Sequence, residues 1–197
     1  MKKVFIVFTF TCFLIGCAVQ SISYYTPLAG KGVIASGGDS CHPPWASYRF
    51  DIAEGIYGVV DSHPSHDSLN LSLSFFLKPG TTLQISNPEL VIESPELPHP
   101  MKATTSEFRL IIYGRKEGEK GHAENFKVTD ILKGGHNTGL PEPYAIDNFR
   151  SVAKLSGVRP HFFKLFIPKL IANRKSIQIE PIDFKLTEET WVSGFCA

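Results

Sequence analysis

Apolar and polar residues alternate most cleanly between positions 69 and 77, where Leu69, Leu71, Leu73, Phe75 and Leu77 are interleaved with Asn70, Ser72 and Ser74. A period of two sets one side of an extended segment against a core and leaves the other to solvent, so this stretch predicts a half-buried strand. Lys78-Pro79-Gly80-Thr81 reads as a turn, and residues 82–86 predict the returning strand of a hairpin. Upstream, residues 48–60 (YRFDIAEGIYGVV) are apolar and aromatic, interrupted at Glu54-Gly55, and residues 62–68 (SHPSHDS) read as a loop. Downstream, apolar runs at 89–94, 107–114, 126–132 and 161–168 are separated by Asn87-Pro88, a proline-rich stretch at 94–100, a charged one at 115–124 and a glycine-rich one at 133–143. The run at 126–132 is expected to pair with 107–114.

Two segments carry mixed signals. In residues 144–155, Ile146, Phe149, Val152 and Ala153 have helical spacing, and a short strand fits equally. In residues 176–186, Ile177 and Ile179 share one parity while Ile182, Phe184 and Leu186 share the other, and Pro181 stands at the change. Proline cannot donate to a ladder, so a bulge or bend there would keep both apolar sets inward. Short strands with turn signals about every 8 to 12 residues predict an all-β fold, an antiparallel β-sandwich that is immunoglobulin-like or similar.

The first residues follow a different pattern. Lys2 and Lys3 precede an uncharged run from Val4 to Ile15, which is shorter than the roughly 20 residues a membrane-spanning helix needs. The order of basic start, apolar run and small residue is that of a secretory leader. Leu14-Ile15-Gly16-Cys17 resembles the lipobox of bacterial lipoproteins. The resemblance implies cleavage after Gly16, a diacylglycerol on the sulfur of Cys17 and acylation of the new amino terminus. It also implies attachment to the lipid bilayer of a bacterial envelope, with Ala18 rather than Asp after the cysteine permitting transfer to the periplasmic face of the outer membrane. An ordinary secretory signal cut nearby, with Cys17 incidental, is the competing reading. Residues 1–16 are thus expected as a cleaved signal peptide and 17–44 as a lipidated terminus and flexible, glycine-rich tether with room for a short ordered segment at Lys31–Ala35. Residues 45–197 are expected as the sandwich domain.

Charge removes one class of partner. Without Lys2 and Lys3, 18 of the 20 basic residues remain against 19 acidic ones, which leaves no concentrated basic surface for nucleic acid. Of the four cysteines, Cys12 lies in the leader and Cys17 is the lipid site, so Cys41 and Cys196 remain. In an oxidising periplasm they are expected to pair; two free thiols too far apart to bond are the alternative.

Candidate chemistry is sparse. His63, His66 and Asp67, with His42 near in sequence, supply imidazole and carboxylate donors suited to zinc. The His-x-x-His-Asp run lacks the helix that aligns the ligands of zinc signatures, and a solvated turn is the simpler reading. Ser36 lacks the leading glycine of a nucleophile elbow. The loop GGHNTG (134–139) lacks the Gly-Lys-Ser/Thr ending of a phosphate cradle. Glu188-Glu189 and the pair Glu117 and Glu119 read as solvated charges. Trp45, Tyr48 and Trp191 suit a carbohydrate platform or a plug beside Cys41 and Cys196. No cofactor and no enzymatic step are expected. The reading is an envelope lipoprotein acting as a structural or protein-interaction module with a protein partner of the envelope. The alternative is a small-ligand, glycan or metal-binding periplasmic lipoprotein.

Overall fold

The computed structural model describes residues 19–28, 30–39, 42–65, 67–114, 120–141 and 143–192. Strands alone make up its regular structure, and no helix occurs among the described residues. The first five are β1 (Val19–Pro27), β2 (Val33–Gly37), β3 (Trp45–Ala53), β4 (Ile56–Ser65) and β5 (Ser68–Leu77). Six shorter ones follow: β6 (Thr82–Ile85), β7 (Glu89–Glu93), β8 (Met101–Thr104), β9 (Glu107–Ile112), β10 (His122–Lys127) and β11 (Leu132–Lys133). The last five are β12 (Asp147–Ser156), β13 (Phe162–Phe166), β14 (Leu170–Ala172), β15 (Lys175–Ile177) and β16 (Ile182–Val192).

These strands form an antiparallel β-sandwich. One sheet has seven strands in the order β10-β9-β12-β5-β4-β3-β2, a second has five in the order β1-β16-β13-β7-β8, and a small third has the order β11-β6-β14-β15. Strand β5 pairs along all ten of its residues with both β4 and β12. Leu69, Leu71, Leu73, Phe75 and Leu77 are all buried in the core, as the alternation implies. Each such side chain contributes about 1.5–3 kcal/mol relative to an exposed one. Facing them are Tyr25, Ile92, Phe163, Leu165 and Phe184 of the five-stranded sheet. The strand is not half-buried, however: Ser68, Ser72 and Ser74 on its other side are buried as well, beneath the neighbouring strands' longer side chains.

Several expectations are corrected. Much of the segment read as a tether is sheet: β1 pairs with β16 from Val19 to Pro27, and β2 pairs with β3. Strand β1 is held by its partner more than by its own apolar residues. Its anchor is Tyr25, fully buried, whose hydroxyl donates to the Pro160 carbonyl at 2.8 Å. Residues 62–68 are not a loop either, since β4 runs to Ser65 and β5 starts at Ser68. The expected hairpin of 69–77 with 82–86 does not form. After Lys78-Pro79-Gly80-Thr81 the chain leaves the large sheet, and β6 pairs with β11 and β14.

Residues 147–156 form a strand with strict alternation of buried and exposed positions. Val152, which completed the helical spacing, points outward and is 59% exposed. The parity change at Pro181 is a change of sheet. Strands β14 and β15 form a hairpin in the small sheet, turning through Asn173 and Arg174 at positive φ (49° and 66°). Past Pro181, β16 returns to the five-stranded sheet beside β13.

The loop 134–139 has a structural task. Asp147, fully buried at the start of β12, accepts hydrogen bonds from the backbone amides of Gly135 (2.7 Å), His136 (2.8 Å) and Asn137 (3.0 Å). His136 Nδ1 lies 3.0 Å from the same carboxylate. Successive amides make a concave anion site, and here the anion is the protein's own side chain. Gly135 has a φ of 126°, which a side chain would strain. Asn137 then ties the loop to β9, accepting from the Tyr113 amide and donating to the Ile111 carbonyl, each at 3.0 Å. Replacing Asp147 with Ala leaves three amides without their acceptor, at about 1–3 kcal/mol for each buried group. Asp147→Ala is expected to lower the unfolding free energy by about 3 kcal/mol or more in a denaturant titration, and Asp147→Asn by less.

Candidate functional site

The metal candidates do not converge among the described residues. His63 lies on β4, exposed and opposite Asn70, while Asp67 lies in the β4–β5 turn, where its carbonyl accepts from the Gly157 amide. His42 folds onto Asp39, with Nδ1 3.1 Å from its carboxylate. No group of three metal-ligating side chains forms among the described residues. His66 lies outside them, as do Cys17, Cys41 and Cys196.

The aromatic trio separates. Tyr48 is core: its ring is buried, and its hydroxyl accepts from the Gly32 amide at 2.7 Å. Gly30 and Gly32 lie so close to this side chain that an added Cβ would stand 2.6 Å from its hydroxyl at Gly30, and 2.5 Å from its ring and 2.3 Å from the Arg49 carbonyl at Gly32. Lys31, between them, pairs with Glu180. Trp45 and Trp191 both line a shallow pocket of about 470 Å³, together with Tyr24, Ser36, Gly37 and Glu189. The Trp191 indole donates to the Asp39 carbonyl at 2.7 Å, closing the floor between the ends of two sheets. Comparison with family models, curated proteins and solved structures finds no match.

Function therefore has to be argued from this surface itself. Strand β2 ends the seven-stranded sheet and runs into the tryptophan pocket through Ser36 and Gly37. All five of its residues, Val-Ile-Ala-Ser-Gly, are exposed, with Val33 at 64% and Ile34 at 40%. Val33 lies on the outer side of the sheet opposite Arg49, and Ile34 lies on the side of the buried Tyr48. Both sides of the strand are thus open, and its outer backbone groups pair with no strand among the described residues. Edges elsewhere are blunted. Strand β8 carries Lys102, paired with Glu89 at 2.7 Å, and β10 carries Glu124 and Lys127. Strands β11 and β15 have two and three residues, and β1 is polar and ends at Pro27. Charge, proline and shortness are the usual protections of an edge; β2 has no charge and no proline.

Sequence reasoning named both tryptophans and placed a short ordered segment at residues 31–35, which overlaps β2 (Val33–Gly37), but it did not identify an edge strand, because a five-residue run among glycines gives no periodicity. The signal present was the uncharged Val-Ile-Ala between Gly32 and Gly37. Gly37 lies opposite Trp45, and a Cβ there would stand 2.9 Å from the indole. In a Trp191→Phe background, where Trp45 is the one remaining indole, Gly37→Val is expected to push the ring into solvent and shift its emission to longer wavelength. Unchanged emission would show that the ring does not cover Gly37.

Proposed function

We propose that the chain is a membrane-anchored envelope lipoprotein of the protein-interaction class, which takes an extended segment of a partner protein onto β2. The observation that carries this reading is the uncharged, two-sided exposure of an end strand beside an aromatic pocket. Strand addition draws affinity from main-chain hydrogen bonds and specificity from pockets that accept particular side chains. Strand β2 offers the first, and the Trp45–Trp191 pocket offers the second to a large apolar side chain at one end of the added strand. Covering what remains exposed of Val33 and Ile34 would contribute about 1.5–3 kcal/mol for the two together.

Anchorage through acylated Cys17 fits the same picture. Two or more acyl chains hold a protein on a bilayer where one does not. Strand β1 starts at Val19, two residues beyond Cys17, so the lipid would hold the β1–β16 edge near the bilayer with little slack. Ala18 after the cysteine supports residence at the periplasmic face of the outer membrane.

Two measurements test the two halves separately. Cys17→Ser is expected to move the full chain from the membrane to the soluble fraction; membrane retention with normal cleavage would refute the anchor. For the edge, a photo-crosslinking residue at Val33 in intact cells is expected to give a discrete adduct, mapped by mass spectrometry to an extended apolar segment. Ala35→Lys in the same chain is expected to abolish that adduct while shifting the melting temperature by no more than a few degrees. An adduct that survives the lysine places the contact elsewhere.

A further inference from the structure

A second surface lies further along the large sheet, separated from β2 by β3, β4 and β5 in strand order. There β9 meets β12, and the register sets Arg109 directly opposite Arg150. Like charges directly opposite across a strand pair oppose pairing, so two guanidinium groups side by side call for a compensating anion. Arg150 has partial compensation: its Nε donates to Ser72 Oγ at 2.9 Å, and the Asp61 carboxylate acts on it from the β4 side. Arg109 forms no ion pair among the described residues. Glu107 stands one row away on β9, opposite Lys127 of β10.

The two arginines lie in a cleft of about 740 Å³, where Phe76, Tyr113, Tyr144 and Val152 supply apolar surface. Tyr113 and Tyr144 meet edge to face with ring centres 5.3 Å apart, and both remain exposed. Asn148, Ser106 and Glu107 add amide, hydroxyl and carboxylate groups on the same walls. The volume lies within the usual range for small-ligand sites. A guanidinium group presents parallel donors matched to the oxygens of a carboxylate or phosphate. Exposed aromatic faces suit the C–H face of a sugar ring, and scattered polar groups suit its hydroxyls.

We propose that this cleft binds an acidic saccharide, with its oxyanion across Arg109 and Arg150 and a sugar ring against Tyr113 and Tyr144. An anionic group alone would not use the tyrosines, and a neutral sugar would leave the arginines uncompensated. The oxyanion has two chemical sources, the carboxylate of a uronic acid and the phosphate of a phosphosugar. This site is independent of the strand-docking edge, so either reading can fail alone.

The test is calorimetric titration of the full chain in detergent, at fixed moderate salt, with four probes: a glucuronate trimer, glucose 6-phosphate, an uncharged glucose trimer and acetate. Saturable binding of one acidic sugar is expected, at least tenfold tighter than the uncharged trimer and than acetate. Preference for the glucuronate or the phosphosugar identifies the source of the anion. Arg109→Gln is expected to weaken that binding at least tenfold while leaving the melting temperature unchanged or raised, because it removes a like-charge contact. Tyr144→Ala is expected to weaken the acidic sugar without affecting acetate. Absence of saturable binding by both acidic sugars overturns the proposal, as does equal binding by the uncharged trimer or by acetate. Full affinity in Arg109→Gln also overturns it.

Discussion

The buried carboxylate of Asp147 fixes where β12 begins, and through that register it decides what the large sheet shows to each side. Four donors from residues 135–137 surround it, and the residue pairs with Leu77 at the end of β5. A slip of one residue along β12 would pull the carboxylate out of its ring of amides and turn every side chain of the strand to the other face. With the register fixed, Phe149, Ala153 and Leu155 enter the core and Arg150 faces outward opposite Arg109. The same choice of parity passes from β5 to β4 and β3 by pairing. It leaves Arg49, Tyr57, Asp61 and His63 on the outer face.

Prolines act as the complementary device, marking where the chain leaves one sheet for another. Pro168 follows β13 and Pro181 precedes β16, and the β14–β15 hairpin between them belongs to the small sheet. Neither proline interrupts a strand, consistent with the loss of a ladder donor at each. The prolines at 95, 98 and 100 lie in the connection between β7 and β8. That connection is held by Glu96, whose carboxylate accepts from the His161 and Phe162 amides and from the His161 ring. These hydrogen bonds keep the Glu96 carboxyl below its ordinary range.

How much could be read from sequence followed from the range of the forces involved. Strand β5 was legible because alternation is local and its outward residues, Phe76 apart, are small and polar. The all-β class and the parity break at Pro181 were legible for the same reason. Strand β1 was not, and β2 showed only as a short ordered stretch at residues 31–35, because their order comes from pairing with β16 and β3. The spacing of Ile146, Phe149 and Val152 fits a helix as well as a strand, and only contact with β5 and β9 decides between them. The aromatic trio was half legible: Trp45 and Trp191 line one pocket, but Tyr48 turns inward beneath Gly32. The arginine pair had no local signature, since it arises from a cross-strand register between β9 and β12.

The outer face of the large sheet also holds charge under conditions that oppose folding. Ser47, Ser72 and Ser74 lie on it and are nonetheless buried, shielded by longer neighbours such as Arg49, Arg150 and Tyr57. Within this trough the Asp61 carboxyl is raised above its ordinary range, because burial outweighs the pull of His63 and Arg150. A raised carboxyl contributes stability below its unfolded pKa and loses it as pH rises through the folded value. At neutral pH Asp61 therefore opposes the fold, as does the Arg109–Arg150 juxtaposition. Arg49 is treated differently: it stacks on Tyr57 at 4.0 Å and lies 3.7 Å from Asp51. Tyr57 in turn stacks on Phe76, with ring centres 4.6 Å apart. Paired charge thus lies towards β3, and where β9 meets β12 two arginines face each other with only partial compensation. That asymmetry opposes the fold, and it is the feature on which the proposed anionic ligand would act.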